Sequence, residues 1–215
     1  MPIHPTLPSP TCPFCAIAAA YPPIPPSSAL QRVSQHPPPA PTSSNEPSSS
    51  RAFLILATQH VLAFLDIMPL SRGHILLTTR NHWEKVGDVG VRVGEEIGKW
   101  LPVISRVAMR VVFGEESLAE DQHWNIVQNN GERAAQVVPH VHFHIIPRPP
   151  LLSSSATRQM SSWTMFGRGQ RDDLDDDEGE ELARLLREEL AREVKRVKQD
   201  EGVDLDVDID HKLKL

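Results

Sequence analysis

Between residues 51 and 148 the apolar side chains recur with two different periods. Residues 52–57 and 61–65 are short apolar runs split by Thr58-Gln59-His60, which predicts two strands joined as a hairpin. A third strand is predicted over 74–79, introduced by Ser71-Arg72-Gly73. A fourth is predicted over 124–128 and ends at the turn signal Asn129-Asn130-Gly131. A fifth, over 140–146, is stopped by Pro147. Between the third and fourth, Ile97, Leu101, Ile104, Val107, Ala108 and Val111 follow helical spacing and predict a helix over 88–113. Pro102 lies inside that helix and is expected to kink or split it, because it has no N–H to donate.

Two further helices flank this block. Residues 12–20 predict a short turn and helix, closed by Tyr21-Pro22-Pro23. Residues 177–198 place Leu182, Leu185, Leu186, Leu190, Val194 and Val197 on one stripe. The acidic run 172–181 falls at the start of that helix, where carboxylates suit the dipole. Asp alternates with apolar residues over 203–210, a pattern that fits either a strand or a tail.

Composition sets the domain plan. Of 215 residues 40% are hydrophobic, yet there are 20 prolines, most of them in the first fifty positions or so. One domain over 12–150 is expected, with a disordered N-terminus at 1–11 and a disordered Pro/Ser-rich insertion at 22–50. Residues 151–215 form a C-terminal extension carrying the last helix. The net charge of −6 argues against the basic face that nucleic-acid binding needs. No apolar run approaches the ~20 residues of a membrane span, and the N-terminus lacks a secretory pattern. The expected location is therefore the cytoplasm, the nucleus or both. The only cysteines, Cys12 and Cys15, form a C-x-x-C pair, which in an intracellular chain points to metal or redox use more than to a structural disulfide.

The chemistry concentrates in His140-Val141-His142-Phe143-His144. On a strand, side chains alternate faces, so the three imidazoles share one side at ~7 Å spacing while Val141, Phe143 and Ile145 enter the core. Such a row serves transfer at phosphorus: one ring attacks, and its neighbours bond the non-bridging oxygens or protonate the leaving group. Spacing alone leaves a metal site open as the alternative.

The run resembles the His-x-His-x-His-x-x signature of the histidine-triad family. The resemblance extends through Ala63-Phe64-Leu65-Asp66-Ile67-Met68-Pro69, Gly73-His74-Ile75-Leu76-Leu77 and Asn125 through Gln136 to Arg148, covering residues 12–20 and 51–148. It implies an α+β fold: an antiparallel five-stranded sheet with a long helix, here with an extra C-terminal helix. It also implies a homodimer whose subunits join their sheets, with the 88–113 helix at the interface. Trp163 falls in a C-terminal segment that the family places near the partner's active site.

The same resemblance assigns residues. His142 corresponds to the nucleophile that carries a nucleotidyl intermediate, His144 to a neighbour on the phosphate, and His74 to a further histidine of that pocket. Asp66 corresponds to the ribose ligand and Ile67 to a wall against the base. Asn129, Gln136 and the backbone N–H of Val137 fall on the phosphate and leaving-group side. The family often has Gly before the Gln136 position and Ser or Thr after it; here Ala135 and Val137 stand there. In some branches a C-x-x-C pair and two histidines hold structural zinc, which implies Cys12, Cys15, His82 and His140. No organic cofactor is implied. The substrate would be a purine nucleoside 5′-monophosphate derivative, with a phosphoramidate favoured as in the Hint-type adenosine 5′-monophosphoramidase branch. The dinucleoside polyphosphates of the fragile-histidine-triad branch are the alternative, and a nucleotide-binding regulatory module is the reading of another class.

Overall fold

The hairpin is set by Thr58, whose Oγ1 accepts from the backbone N–H groups of His60 and Val61 at 3.3 and 3.0 Å. It joins strands β1 (Leu54–Ala57) and β2 (Val61–Leu65). In this computed structural model, which describes residues 7–28, 51–150 and 172–207, the chain also forms β3 (Ile75–Thr79), β4 (Trp124–Gln128) and β5 (His142–Pro147). The five strands make one sheet in the order β1-β2-β3-β5-β4, each neighbouring pair antiparallel. The α+β class is as expected from the sequence. Trp163, residues 29–50 and the tail after 207 lie outside the described residues.

Three helices cover the sheet: α1 (Pro13–Ala20), α2 (Val91–Phe113) and α3 (Asp176–Asp200). On one face Ile55, Ala63, Leu65, Ile75 and Leu77 pack with Trp100, Ile104 and Val107 of α2 and with Leu182, Leu186 and Leu190 of α3. On the other, Leu54, Leu62, Phe64 and Leu76 pack with Phe14 and Ile17 of α1. Covering both faces explains why β1 to β3 read as continuous apolar runs rather than alternations. Strand β4 is different: it is an edge, and Trp124 and Ile126 are exposed.

Several boundaries differ from the sequence reading. Pro102 does not divide α2: Pro102 and Gly98, whose carbonyl loses its partner, are both exposed, so water takes that bond. The helix starts at Val91 because residues 86–88 form a separate 3₁₀ turn. Helix α3 shares the central core, so the described part of the C-terminal extension is integral to the domain; each buried leucine there contributes about 2 kcal/mol. Asp175 caps it, accepting from the N–H groups of Asp177 and Glu178. At Gly179 a Cβ would lie 2.5 Å from the Phe53 ring, so only glycine allows this approach. Residues 22–28, read as the start of a disordered insertion, are anchored at two points: Pro26 is buried and the Ile24 N–H donates to the Ala57 carbonyl on the β1 edge. Residues 203–207 form no strand.

Arginines close the remaining gaps. Arg187 of α3 donates to the Leu54 carbonyl at 2.6 Å, where the β1 register is interrupted by a bulge. Arg80, just after β3, donates to the carbonyls of Ala18 and Tyr21 and so holds the C-terminal end of α1 against the sheet. Arg106 and Arg110 of α2 pair with the buried Glu193 of α3, and Arg110 also with Glu189.

Candidate functional site

The three histidines of the run divide between two sites. His140 precedes β5: its N–H bonds to the Val138 carbonyl and the Val141 N–H bonds to the Trp83 carbonyl, so the regular ladder begins at His142. All three rings lie on the α1 side of the sheet, as strand alternation predicts, but His140 stands outside the regular ladder and faces the cysteines. The His140 ring turns toward α1, where its Nδ1 lies 3.3 Å from Cys12 Sγ, 3.7 Å from Cys15 Sγ and 3.2 Å from His82 Nδ1. Cys15 Sγ is also 3.3 Å from His82 Nδ1, and all four donor atoms lie within 4.8 Å of one another.

That cluster has the dimensions of a tetrahedral site. Zinc bonds of ~2.0–2.3 Å give donor–donor edges of about 3.3–3.8 Å, close to the four distances just given, 3.2–3.7 Å. On its far side the His140 ring donates from Nε2 to the Thr79 carbonyl at 2.8 Å, which leaves the Nδ1 lone pair directed at the cluster. Burial drives the His140 pKa down to about 4 and pushes the Cys15 thiol up to about 11, so without a cation both are neutral at pH 7. Two soft sulfurs and two imidazole nitrogens suit zinc better than a hard cation. A cavity of about 450 Å³ opens beside the cluster and is lined by Cys12, His82, Glu84, Val137 and Val138.

His142 and His144 make the second site, their ring centroids 4.9 Å apart and the planes 74° from parallel. His142 pairs across to Thr78 and His144 to Leu76 on β3. Nδ1 of His142 donates to the His140 carbonyl at 2.6 Å, so the proton sits on Nδ1 and the lone pair on Nε2. Burial lowers the His142 pKa, against the opposing pull of that hydrogen bond and of the Asp66 charge, which favours the neutral ring.

A backbone amide sets the other tautomer. The Leu70 N–H donates to His74 Nδ1 at 3.1 Å, which makes that nitrogen an acceptor and puts the proton on Nε2. His74 Nε2 then donates to His144 Nδ1 at 3.0 Å, so His144 carries its own proton on Nε2. The pair thus combines a basic nitrogen on His142 with an N–H donor on His144. Asp66 Oδ2 lies 3.4 Å from His74 Nδ1, and its Oδ1 accepts from the Met68 N–H at 2.9 Å. Asp66, His74 and His144 also lie close enough to suggest a metal group, but the Leu70 N–H on His74 Nδ1 favours a hydrogen-bonded chain.

Ile67 is 61% exposed beside Asp66, and Val137 is 91% exposed. Asn129 Nδ2 donates to the Ala135 carbonyl at 3.4 Å. Gln136 is buried and braces its loop, accepting from the Gly131 N–H and donating to the Glu84 carbonyl. Ala135 adopts a left-handed φ of 62°, which explains why glycine suits the position. Sequence reasoning missed Thr79 and the Leu70 N–H, which carry no motif.

Comparison with known proteins agrees with this geometry. A model of the HIT domain matches residues 48–151. An uncharacterized HIT-like protein of Methanocaldococcus jannaschii is 37% identical over 97 residues, which are 45% of this chain and 69% of that one. An adenosine 5′-monophosphoramidase of Candida albicans is 33% identical over 97 residues, 45% of this chain and 62% of that protein, so the match spans less than two thirds of the relative's length. The crystal structure of a zinc-bound histidine triad family protein from Mycobacterium smegmatis superposes with a TM-score of 0.52 at 26% identity, covering 85% of this chain and 94% of that one. With its triad, its sheet order and these matches, the chain belongs to the histidine-triad (HIT) family.

Proposed function

We propose that the protein hydrolyses purine nucleoside 5′-phosphoramidates through a nucleotidyl-histidine intermediate on His142. The observation that carries this reading is the tautomer pair: His142 bonded at Nδ1 to the His140 carbonyl, beside a His144 that bears its proton on Nε2. His142 Nε2 attacks the α-phosphorus and forms the P–N bond to the ring as the bond to the leaving amine breaks. His144 donates a hydrogen bond to the phosphoryl oxygens or the departing nitrogen, offsetting the developing charge. The departing nitrogen takes a proton from solvent and leaves as the amine; water then adds to phosphorus as the bond to His142 breaks, giving its proton back to solvent and releasing the nucleoside monophosphate. Asp66 would accept from the ribose hydroxyls and Ile67 would pack on the base. Asn129, Gln136 and the Val137 N–H would border the leaving group. The activity of the Candida albicans relative supports the substrate class.

Cys12, Cys15, His82 and His140 would hold a structural zinc ion, which would supply a rigid cross-link between α1 and the segment that leads into the strand of His142. The open edge at β4, with Trp124 and Ile126 exposed, supports a homodimer in which two sheets join.

The test is turnover of adenosine 5′-phosphoramidate and diadenosine triphosphate side by side, with His142→Ala as control. Faster phosphoramidate cleavage, lost by about a thousandfold or more in the variant, is expected. Faster cleavage of the dinucleotide would reassign the substrate, and equal rates in the variant would overturn the nucleophile.

A further inference from the structure

We propose that Phe14 is a positioning residue for His142, holding the nucleophile's ring in the orientation for attack; the inference rests on the reaction proposed above. Phe14 lies in the first turn of α1 and is buried. Its ring meets that of His142 at 5.2 Å between centroids with the planes at 77°, and those of His140 and Phe64 at 5.7 and 5.6 Å. Near-perpendicular aromatic pairs at this spacing attract beyond their apolar contact.

The need for such a contact follows from how His142 is held. Its hydrogen bond to the His140 carbonyl sets the tautomer, but a single bond at Nδ1 leaves the ring able to pivot about it. Packing against Phe14 and against His144 restricts that pivot. Phe14 is itself well anchored. Cys12 and Cys15 on either side of it contact His140 and His82, and Arg80 holds the far end of α1. Whatever tightens the cysteine–histidine cluster therefore reaches the His142 ring through one phenyl group.

The experiment compares the full chain with Phe14→Leu, which keeps apolar bulk but loses the ring, and Phe14→Tyr, which keeps the ring. Ile17→Ala, on the same helix and in the same apolar cluster, controls for loosened packing. We expect Phe14→Leu to lower kcat by about tenfold with KM changed by less than about twofold, since small misplacements of a reacting group are costly. Phe14→Tyr should recover most of the rate, and Ile17→Ala should lower the melting temperature while leaving kcat near wild type. Nitrogen-15 NMR of the histidine rings supplies a readout independent of turnover: a single Nδ1–H signal set for His142 in wild type, broadened or split in Phe14→Leu. A loss confined to KM, or unchanged His142 signals in Phe14→Leu, would overturn the proposal. If the wild type turns over neither substrate, the proposed reaction falls and the NMR comparison alone decides the role of Phe14.

Discussion

His140 and His142 are two residues apart on one segment, yet their rings are used in opposite ways. At His140 the backbone of β3 takes the Nε2 proton, so Nδ1 turns inward to two sulfurs and a second imidazole. At His142 the proton is on Nδ1, and Nε2 holds the lone pair. Burial favours the neutral form of both rings, and in the roles proposed above the choice of hydrogen-bond partner separates the ligand from the nucleophile. A histidine in a motif has no role until the acceptor of its other nitrogen is known.

The two histidines are expected to fail differently. His142→Ala should abolish turnover, by the thousandfold or more stated above, while the melting temperature stays within a few degrees. His140→Ala should do the reverse first. We expect it to cost about 2–4 kcal/mol, a fall near 10 °C in melting temperature, because it empties a fully buried site and takes the ring donor from the Thr79 carbonyl. Elemental analysis of the wild type should find about one zinc per chain, and His140→Ala should lose it. Zinc retained in that variant, or an equal drop in stability in His142→Ala, would erase the distinction between the two sites.

A region remote from both sharpens it further. The α2–α3 interface holds Glu193 among Arg106, Arg110 and Arg196. Burial alone would raise the Glu193 pKa, but the hydrogen bonds from these arginines outweigh it and hold the carboxyl below the usual carboxylate range. A lowered folded-state pKa means that this stabilisation is complete above the ordinary carboxylate value and is lost as pH falls through the folded one. Glu193→Gln should therefore cost about 1–3 kcal/mol at pH 7 and progressively less in acid, read by melting curves between pH 7 and 3. Zinc content and kcat should not change at pH 7. The smallest effect is expected at Ala135, where a left-handed backbone strains any residue with a Cβ. Ala135→Gly should raise stability by about 1 kcal/mol, and a lower melting temperature in that variant would show the strain to be absent.

Much of this was legible in the chain. Apolar runs and helical spacing located the strands and helices of the described residues to within a few positions, because a strand covered on both faces reads as an apolar run and a helix buried on one side carries a stripe. The boundary errors have local causes: an exposed Gly98–Pro102 gap that water fills, and a 3₁₀ turn ahead of Val91. Helix α3 was visible as an amphipathic stripe, but its place in the main core was not, since a stripe says that something covers it and not what.

The sequence by itself determined the donor types, the strand and helix periods, and the family to which the His-x-His-x-His run belongs. Only the tertiary structure decided that Cys12 meets His140 across 128 positions, that Thr79 and the Leu70 N–H set the imidazole tautomers, and that Phe14 packs on His142. The reason is range. Periodicity records which face of an element is buried, a local property repeated every few residues. Which ring nitrogen keeps its proton depends instead on a single carbonyl or amide brought within 3 Å or so by chain closure, and no local pattern encodes that atom.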